Sequence, residues 1–424
     1  MDVAIKDLSE IEKEITIQTS AVELTPHFTR AYEKYRSKLE LKGFRKGKAP
    51  LAMVIKLHGE AIEYESLNDI ATDYYRQAIT ERDIHPVGEP VLVDMDYKRG
   101  EALSFRIKYE IRPTIQLGQY KGIPVERVVH IVTDKEIDDE LQRIRRSNST
   151  LTEAESVQGE EFIVTVDVQE TDEAGTPILG RKTAGMRVYL ADPSVYAEIR
   201  EALKSVTTGA SVRTSFDRET DGGKTKTYLT LTAVKIERVE LPEVTDEFVK
   251  KITKDKVTSV AEFMRGLRTD IDRYWRDKTE RNLTDALIAQ IVSRHDIPVP
   301  GALVKGILDS MVHDLEQRYP NKKLPPDFKE EEFREENKDT AAFQARWFLL
   351  REEILRAEKL EVTDDDVAAR AAEDAPRVGM DKERLLGFYK TSDSVRDRIL
   401  ADKLTSFLVQ NAAVTERSTE EFFA

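Results

Sequence analysis

The 424-residue sequence predicts a multidomain α+β protein, with an α/β N-terminal domain, a β-rich middle domain and an all-α C-terminal body. Three observations predict it. Apolar residues alternate with polar ones at Ile11, Ile15 and Ile17 and again from Leu103 to Ile111, the period of half-buried strands, and helical stretches lie between. A second alternating run, Phe162, Val164, Val166 and Val168, shares the middle of the chain with a β-branched run from Tyr228 to Ile236. From about residue 246 onward the apolar spacing becomes i, i+4, which is helical.

The elements follow in order. Domain 1–112 holds two helices, from about Pro26 to Leu41 with Phe28, Ala31, Tyr32 and Tyr35 on one face, and from about Pro50 to Glu81. Between them lies Gly43-Phe44-Arg45-Lys46-Gly47-Lys48-Ala49-Pro50, in a stretch from Lys34 to Lys48 with seven Lys or Arg and one acid, Glu40. The whole chain carries 66 Lys and Arg against 80 Asp and Glu, a net charge of −14, so this basic segment is an exception. Gly43 and Gly47 permit positive φ and place Arg45 and Lys46 at a tip, and Pro50 fits the first turn of the next helix. At such a tip Arg forks onto phosphate, Lys is a mobile point charge and Phe44 offers a flat apolar face. The segment reads as a docking surface for a polyanion; a merely solvated charged turn would need neither the glycines nor the aromatic.

After Arg112-Pro113 a connecting arm, 113–154, carries capping-box spacing at Thr133 and Glu136, with Ile137, Leu141 and Ile144 at helical intervals. A lone helix of that length is marginal, so it should pack on a neighbour. The β-rich unit spans 155–240. In 241–424, Leu283, Leu287 and Ile291 form one stripe, and Pro298 and Pro300 separate it from a second, Leu303, Ile307, Met311 and Leu315 with Val304, Leu308 and Val312 beside it. A third runs through Trp347, Leu350, Ile354 and Leu355. Any one of these residues is read first as ordinary bundle core.

Several chemistries are excluded. Without cysteine there is no disulfide framework, thiolate nucleophile or Cys-type metal site. The first 20 residues lack a basic n-region and an apolar h-region, and no run of about 18 apolar residues occurs, so a cytoplasmic chain without membrane contact is expected. The six histidines show no metal-ligand spacing. Gly222-Gly223-Lys224-Thr225 ends like a phosphate loop, but Arg218 stands where its first glycine belongs. No cofactor and no metal are expected. Glu330-Glu331-Glu332 and Asp364-Asp365-Asp366 read as solvated faces or helix N-termini.

The segments LKGFRKGKAP, IHPVGEP at 84–90, LPEVTDEFVKKI at 241–252, HDIPVPGALV at 295–304 and VTERSTEEFF at 414–423 resemble the trigger factor family of ribosome-associated bacterial chaperones. The likeness extends over almost the whole chain, and the basic loop is its specific part. It implies a ribosome-docking head, in which Gly43, Phe44, Arg45, Lys46, Gly47 and Lys48 contact a protein of the large subunit and nearby RNA at the tunnel exit. It further implies an FKBP-like middle domain and a helical client-binding body with two arms around a cradle. The implied function is ATP-independent shielding of nascent and unfolded polypeptides. Met264, Met311 and Phe343 are the client-contact candidates, since adaptable Met-rich surfaces suit varied ligands. A homodimer of the free protein stays open.

In the middle domain the sequence departs from the family pattern. Asp167-Val168 stands for Asp-Phe, and Ile178 for a flap Phe. Ala197-Glu198-Ile199-Arg200 stands for Pro-Gly-Phe-Glu, and the loop that usually offers a Tyr is shortened to Asp217–Gly223. Tyr189, Tyr196 and Phe216 remain, each read as a core or edge residue. A peptidyl-prolyl isomerase needs an aromatic, desolvated pocket to lower a barrier of about 18–20 kcal/mol. The degenerate pocket near Asp167, Val168, Ile178, Tyr189 and Ile199 therefore implies weak or absent isomerase activity. A working prolyl isomerase is the alternative, and a free nucleic-acid binder, disfavoured by the net charge, is a third.

Overall fold

The computed structural model describes residues 1–41, 44–220, 223–319 and 321–419; Gly43, Gly222 and the end of the VTERSTEEFF segment lie outside the described residues. The fold divides into two units, 1–127 with 281–415, and 128–280 with 416–424.

In the first unit, β1 (Asp2–Asp7), β2 (Glu12–Thr19), α1 (Ala21–Lys38), α2 (Leu51–Glu81), β3 (Pro86–Tyr97) and β4 (Leu103–Ile111) form an antiparallel sheet, order β1-β2-β4-β3, packed with two helices. The alternating strands lie side by side, Ile15 opposite Ile107 and Ile17 opposite Phe105, and their inner face meets Leu24, Phe28, Ile62, Ile70 and Tyr74. α1 starts at Ala21 rather than near Pro26, because Ser20 and Glu23 form a reciprocal capping box that satisfies the first amides. Pro26 is tolerated inside the helix at the loss of one backbone bond, and the helix ends at Lys38, short of Leu41. β1 and β3 escape the sequence reading because both are edge strands with mostly exposed side chains, and β3 opens on Pro-Val-Gly-Glu-Pro, which reads as turn chemistry. The buried carboxylate of Glu63 accepts from the hydroxyls of Tyr32 and Tyr97 and, at 3.2 Å, from Arg99, so this core charge is fully partnered.

β5 (Pro124–Val129) leads into the second unit and pairs with the last strand of the chain. α3 (Asp134–Ser147) begins at the expected Thr133–Glu136 capping box. Its apolar face, Ile137, Leu141 and Ile144, packs against Phe263, Met264, Leu267 and Ile271, which supplies the neighbour that a short helix needs. β6 (Thr150–Ala154), β7 (Phe162–Thr171), β8 (Pro177–Tyr189), α4 (Ala197–Leu203), β9 (Ser211–Thr220) and β10 (Gly223–Glu240) make a sheet in the order β6-β10-β7-β8, with β9 also on β10 and α4 packed near β9. The sheet therefore takes in Thr150–Ala154, expected in the arm, because β6 pairs with Ile236–Glu240. Asp217–Thr220 are strand residues of β9, paired with Gly223–Lys226 of β10, rather than loop residues. α5 (Asp246–Thr253) and α6 (Val260–Ser293) follow.

α7 (Gly301–Arg318), α8 (Glu330–Glu336), α9 (Lys338–Ala357), α10 (Asp364–Val378), α11 (Lys382–Lys390), α12 (Asp393–Gln410) and β11 (Ala413–Ser418) complete the chain. Leu283, Leu287 and Ile291 are buried with Ile123, Leu350, Ile354, Leu404 and Leu408. On α7 the buried side chains are Leu308 and Val312, whereas Leu303, Ile307, Met311 and Leu315 are only half-buried, so the deepest stripe lies beside the one expected. Both acidic triplets open helices, α8 and α10, where carboxylates favour the exposed amides. Two long-range contacts explain the HDIPVPGALV segment. Glu110 accepts from the first two amides of α7, Gly301 and Ala302, both at 2.9 Å. Buried His295 accepts from the Gly118 amide at 2.8 Å and donates to the Ile291 carbonyl at 2.7 Å, which assigns its proton to Nδ1.

Candidate functional site

The basic loop is a built turn. The Phe44 amide donates to the Leu41 carbonyl and the Lys48 amide to the Arg45 carbonyl, both at 2.9 Å, while the Gly47 amide donates to Leu39 at 3.2 Å. Gly47 has φ +74°, and a Cβ there would stand 3.1 Å from the Ser37 carbonyl oxygen, so the position requires glycine twice over. Buried Ala49 anchors the return, and Pro50 is the N-cap of α2 rather than a residue of its first turn. Phe44, Arg45, Lys46 and Lys48 are exposed. Lys46 lies 3.5 Å from Glu40, an exposed pair that a stronger anion would displace at little cost. The turn thus holds three cations and one aromatic away from the core, free to contact a partner.

The middle domain holds a cleft of about 610 Å³. Its apolar surface comes from Val168, Val188, Ile199, Leu229, Tyr196 and Phe216, and Arg181, Lys182, Arg187 and Arg218 stand around it. The strand alternation that buries Val168 sends Asp167 to the other face, where it accepts from the Gly185 amide at 3.0 Å and fastens β8. Ile178 is half out of the domain at 38% exposure, and its carbonyl accepts from Gln169 at 2.9 Å. Tyr189 bonds Glu161 instead of lining the cleft, and burial followed by that bond raises its phenol well above the ordinary range. Of the five residues expected at the pocket, Val168 and Ile199 line it, whereas Asp167, Ile178 and Tyr189 do not.

Tyr196 and Phe216, read from sequence as core or edge residues, both line the cleft. Their rings stack at 4.0 Å between centroids and 28° between planes. No local pattern gave this away, since the two residues come from α4's N-cap and from β9. The cleft can hold an apolar side chain against two aromatic rings. Among the described residues no group of three or more His, Asp or Glu is arranged to hold a metal ion.

The client-contact candidates are all half-buried. Met264 packs in the α3–α6 cluster and Phe343 against the core of the helical body; Met311 lies on α7 beside buried Val312. The larger exposed apolar side chains lie elsewhere, among them Val91, Leu179, Tyr274 and Phe388. No described helix is long and apolar enough to cross a membrane.

Comparison with known proteins gives a consistent result. Two family models match, "Bacterial trigger factor protein (TF)" over residues 1–144 and "Bacterial trigger factor protein (TF) C-terminus" over residues 259–410. The chain is 30% identical to the trigger factor of Chloroherpeton thalassium over 429 residues, covering 99% of this chain and 98% of that one. It is 29% identical to the trigger factor of Salinibacter ruber over 444 residues, covering 100% and 96%. A solved structure described as "Promiscuous Substrate Recognition in Folding and Assembly Activities of the Trigger Factor Chaperone" matches over 97% of this chain and 99% of that one. Its TM-score is 0.50 and its identity 18%, a likeness of fold.

Proposed function

The chain belongs to the trigger factor family of ribosome-associated folding chaperones, and from that premise we propose how this member divides the work. The 44–48 turn docks on the large ribosomal subunit at the tunnel exit, Arg45 and Lys46 meeting carboxylate or phosphate and Phe44 packing on the partner's surface. The helical body shields nascent and unfolded chains without ATP, in the cytoplasm. The single observation that supports the docking reading is the geometry of the turn, three exposed cations and an exposed ring on a glycine-fixed tip in a chain of net charge −14. Co-sedimentation with purified ribosomes tests it. The Phe44→Ala/Arg45→Ala/Lys46→Ala variant should lose binding while its thermal unfolding stays unchanged, because exposed turn residues contribute little to stability. Undiminished co-sedimentation at moderate salt would refute the assignment.

A second reading concerns the middle domain. The stacked Tyr196 and Phe216 beside Val168 and Ile199 favour a peptide-binding cleft that takes a prolyl or other apolar side chain. With Val168 and Ile199 in place of aromatic walls, we expect isomerisation there to be weak, since an open, mixed-polarity cleft desolvates the amide poorly. A proline-peptide isomerisation assay on the full chain decides between a binding cleft and a working enzyme.

A further inference from the structure

We propose that the middle-domain cleft selects apolar segments flanked by a carboxylate, Asp or Glu, over segments flanked by Lys or Arg. This rests on the reading of the cleft as a peptide site. The observation is a charge inversion. Residues 155–240 carry 15 Asp and Glu against 11 Lys and Arg, as befits an acidic chain, yet the cleft is lined by Arg181, Lys182, Arg187 and Arg218 with one carboxylate, Glu170. Three of these cations come from the single stretch 177–187, PILGRKTAGMR, which contains no acid and is exposed along its whole length. The same stretch exposes Leu179 at 96%, with Ile178 and Met186 at more than a third, so β8 offers apolar and cationic groups together.

Three of the cations have carboxylate partners that compete with any ligand. Arg181 lies 2.7 Å from Glu170, Lys182 3.5 Å from Asp167 and Arg187 3.5 Å from Glu237. The Glu170 contact raises Arg181 above its ordinary pKa, so it stays charged. The three cationic ends are more than half exposed while their carboxylate partners are at 32%, 29% and 13%, so the cations can be approached from solvent but stay partly neutralised. Arg218 differs, being exposed with no ion pair among the described residues. It stands at the cleft with Phe216, two residues away on the same strand face. An apolar side chain seated on Tyr196 and Phe216 would bring a neighbouring carboxylate to Arg218, whose planar fork suits bidentate contact, and Arg181 can turn to the same anion. A Lys or Arg at that place would meet the like charge of Arg218, which no carboxylate among the described residues offsets, beside three further cations already paired.

The test uses the full-length chain and fluorescein-labelled nonapeptides with a central Leu-Pro flanked on both sides by Glu, Gln or Lys, read by anisotropy. The Glu peptide should bind at least fivefold more tightly than the Gln peptide, the Lys peptide should bind most weakly, and the spread should shrink as salt is raised. Arg218→Gln and Arg181→Gln/Arg218→Gln should bring the Glu-to-Gln ratio toward one. Equal binding of Glu and Lys peptides, or a ratio unaltered in the double variant, would overturn the charge preference and leave the cleft reading standing. If no peptide binds, or if Tyr196→Ala, at an exposed wall, weakens none of them, the peptide-site reading falls and the preference falls with it.

Discussion

At the scale of single residues, two positions act through the backbone groups around them, one in the basic turn and one in the helical body. Gly47 holds φ +74° with the Ser37 carbonyl oxygen 3.1 Å from where a Cβ would stand. Gly47→Ala must open the turn, so ribosome co-sedimentation should fall several-fold although none of the contacting side chains has changed, with global stability lowered by about 1 kcal/mol or less. Arg45→Lys is the finer probe at the same tip: docking should weaken measurably if the guanidinium makes a forked contact, and equal docking would show that charge alone suffices. His295 is the second position. Its ring joins the Gly118 amide to the Ile291 carbonyl in the core, so His295→Leu strands the amide of Gly118, a loss of about 1–3 kcal/mol. Urea unfolding should show it, and His295→Gln, which can both accept and donate, should recover part. His295 was legible only as part of a family-like segment, because its two partners lie in different parts of the chain and no spacing rule joins them.

At the scale of elements, what the sequence disclosed follows from where the signal was local. β2, β4 and α2 were legible because period two or long helical runs faced a core, and α3 because Thr133 and Glu136 cap it reciprocally. Ser20 carries the same capping signal with Glu23, but Pro26, six residues after Ser20, itself reads as a helix start and hides it. Edge strands β1 and β3 have little inward face and leave no period to read. The α10 N-terminus carries a pH prediction. Asp366 is held at about 2, first by Lys403 at 2.6 Å and then by the Thr363 amide and hydroxyl at 2.8 Å. Its folded pKa lies below its unfolded one, so the stabilisation is complete above about pH 4 and is lost as pH falls through the folded value. Asp366→Asn should therefore lower the unfolding free energy at pH 7 by a cap's worth, about 0.5–2 kcal/mol, and the difference from the parent should narrow steadily below pH 4. A difference independent of pH would mean that packing, not the charge, holds α10 on α12.

At the scale of the whole molecule, the succession of an α/β region, a sheet-rich region and a helical region was legible because the hydrophobic period changes twice along the chain, although the helical stretch from 241 is shared between the two units, whereas the cleft was not legible. Its aromatics, Tyr196 and Phe216, and its cations come from α4, β8 and β9, and only the folded sheet assembles them. The sheet also makes the middle domain separable. Thr150 and Glu240 are paired partners at the ends of β6 and β10, so the chain enters and leaves side by side, and Arg145 before the sheet donates to the Pro242 carbonyl after it at 2.9 Å. A chain in which residues 150–240 are replaced by a short Gly/Ser linker should keep the α3–α6 cluster and the core around Leu283, Leu287 and Leu350, since no residue of either cluster is removed. It should dock on ribosomes through the intact 44–48 turn and still suppress aggregation of a chemically denatured protein, with helical circular dichroism preserved. Loss of aggregation suppression in that chain, together with brisk prolyl isomerisation by the full-length protein, would transfer the function from the helical body to the cleft and make the protein foremost an enzyme.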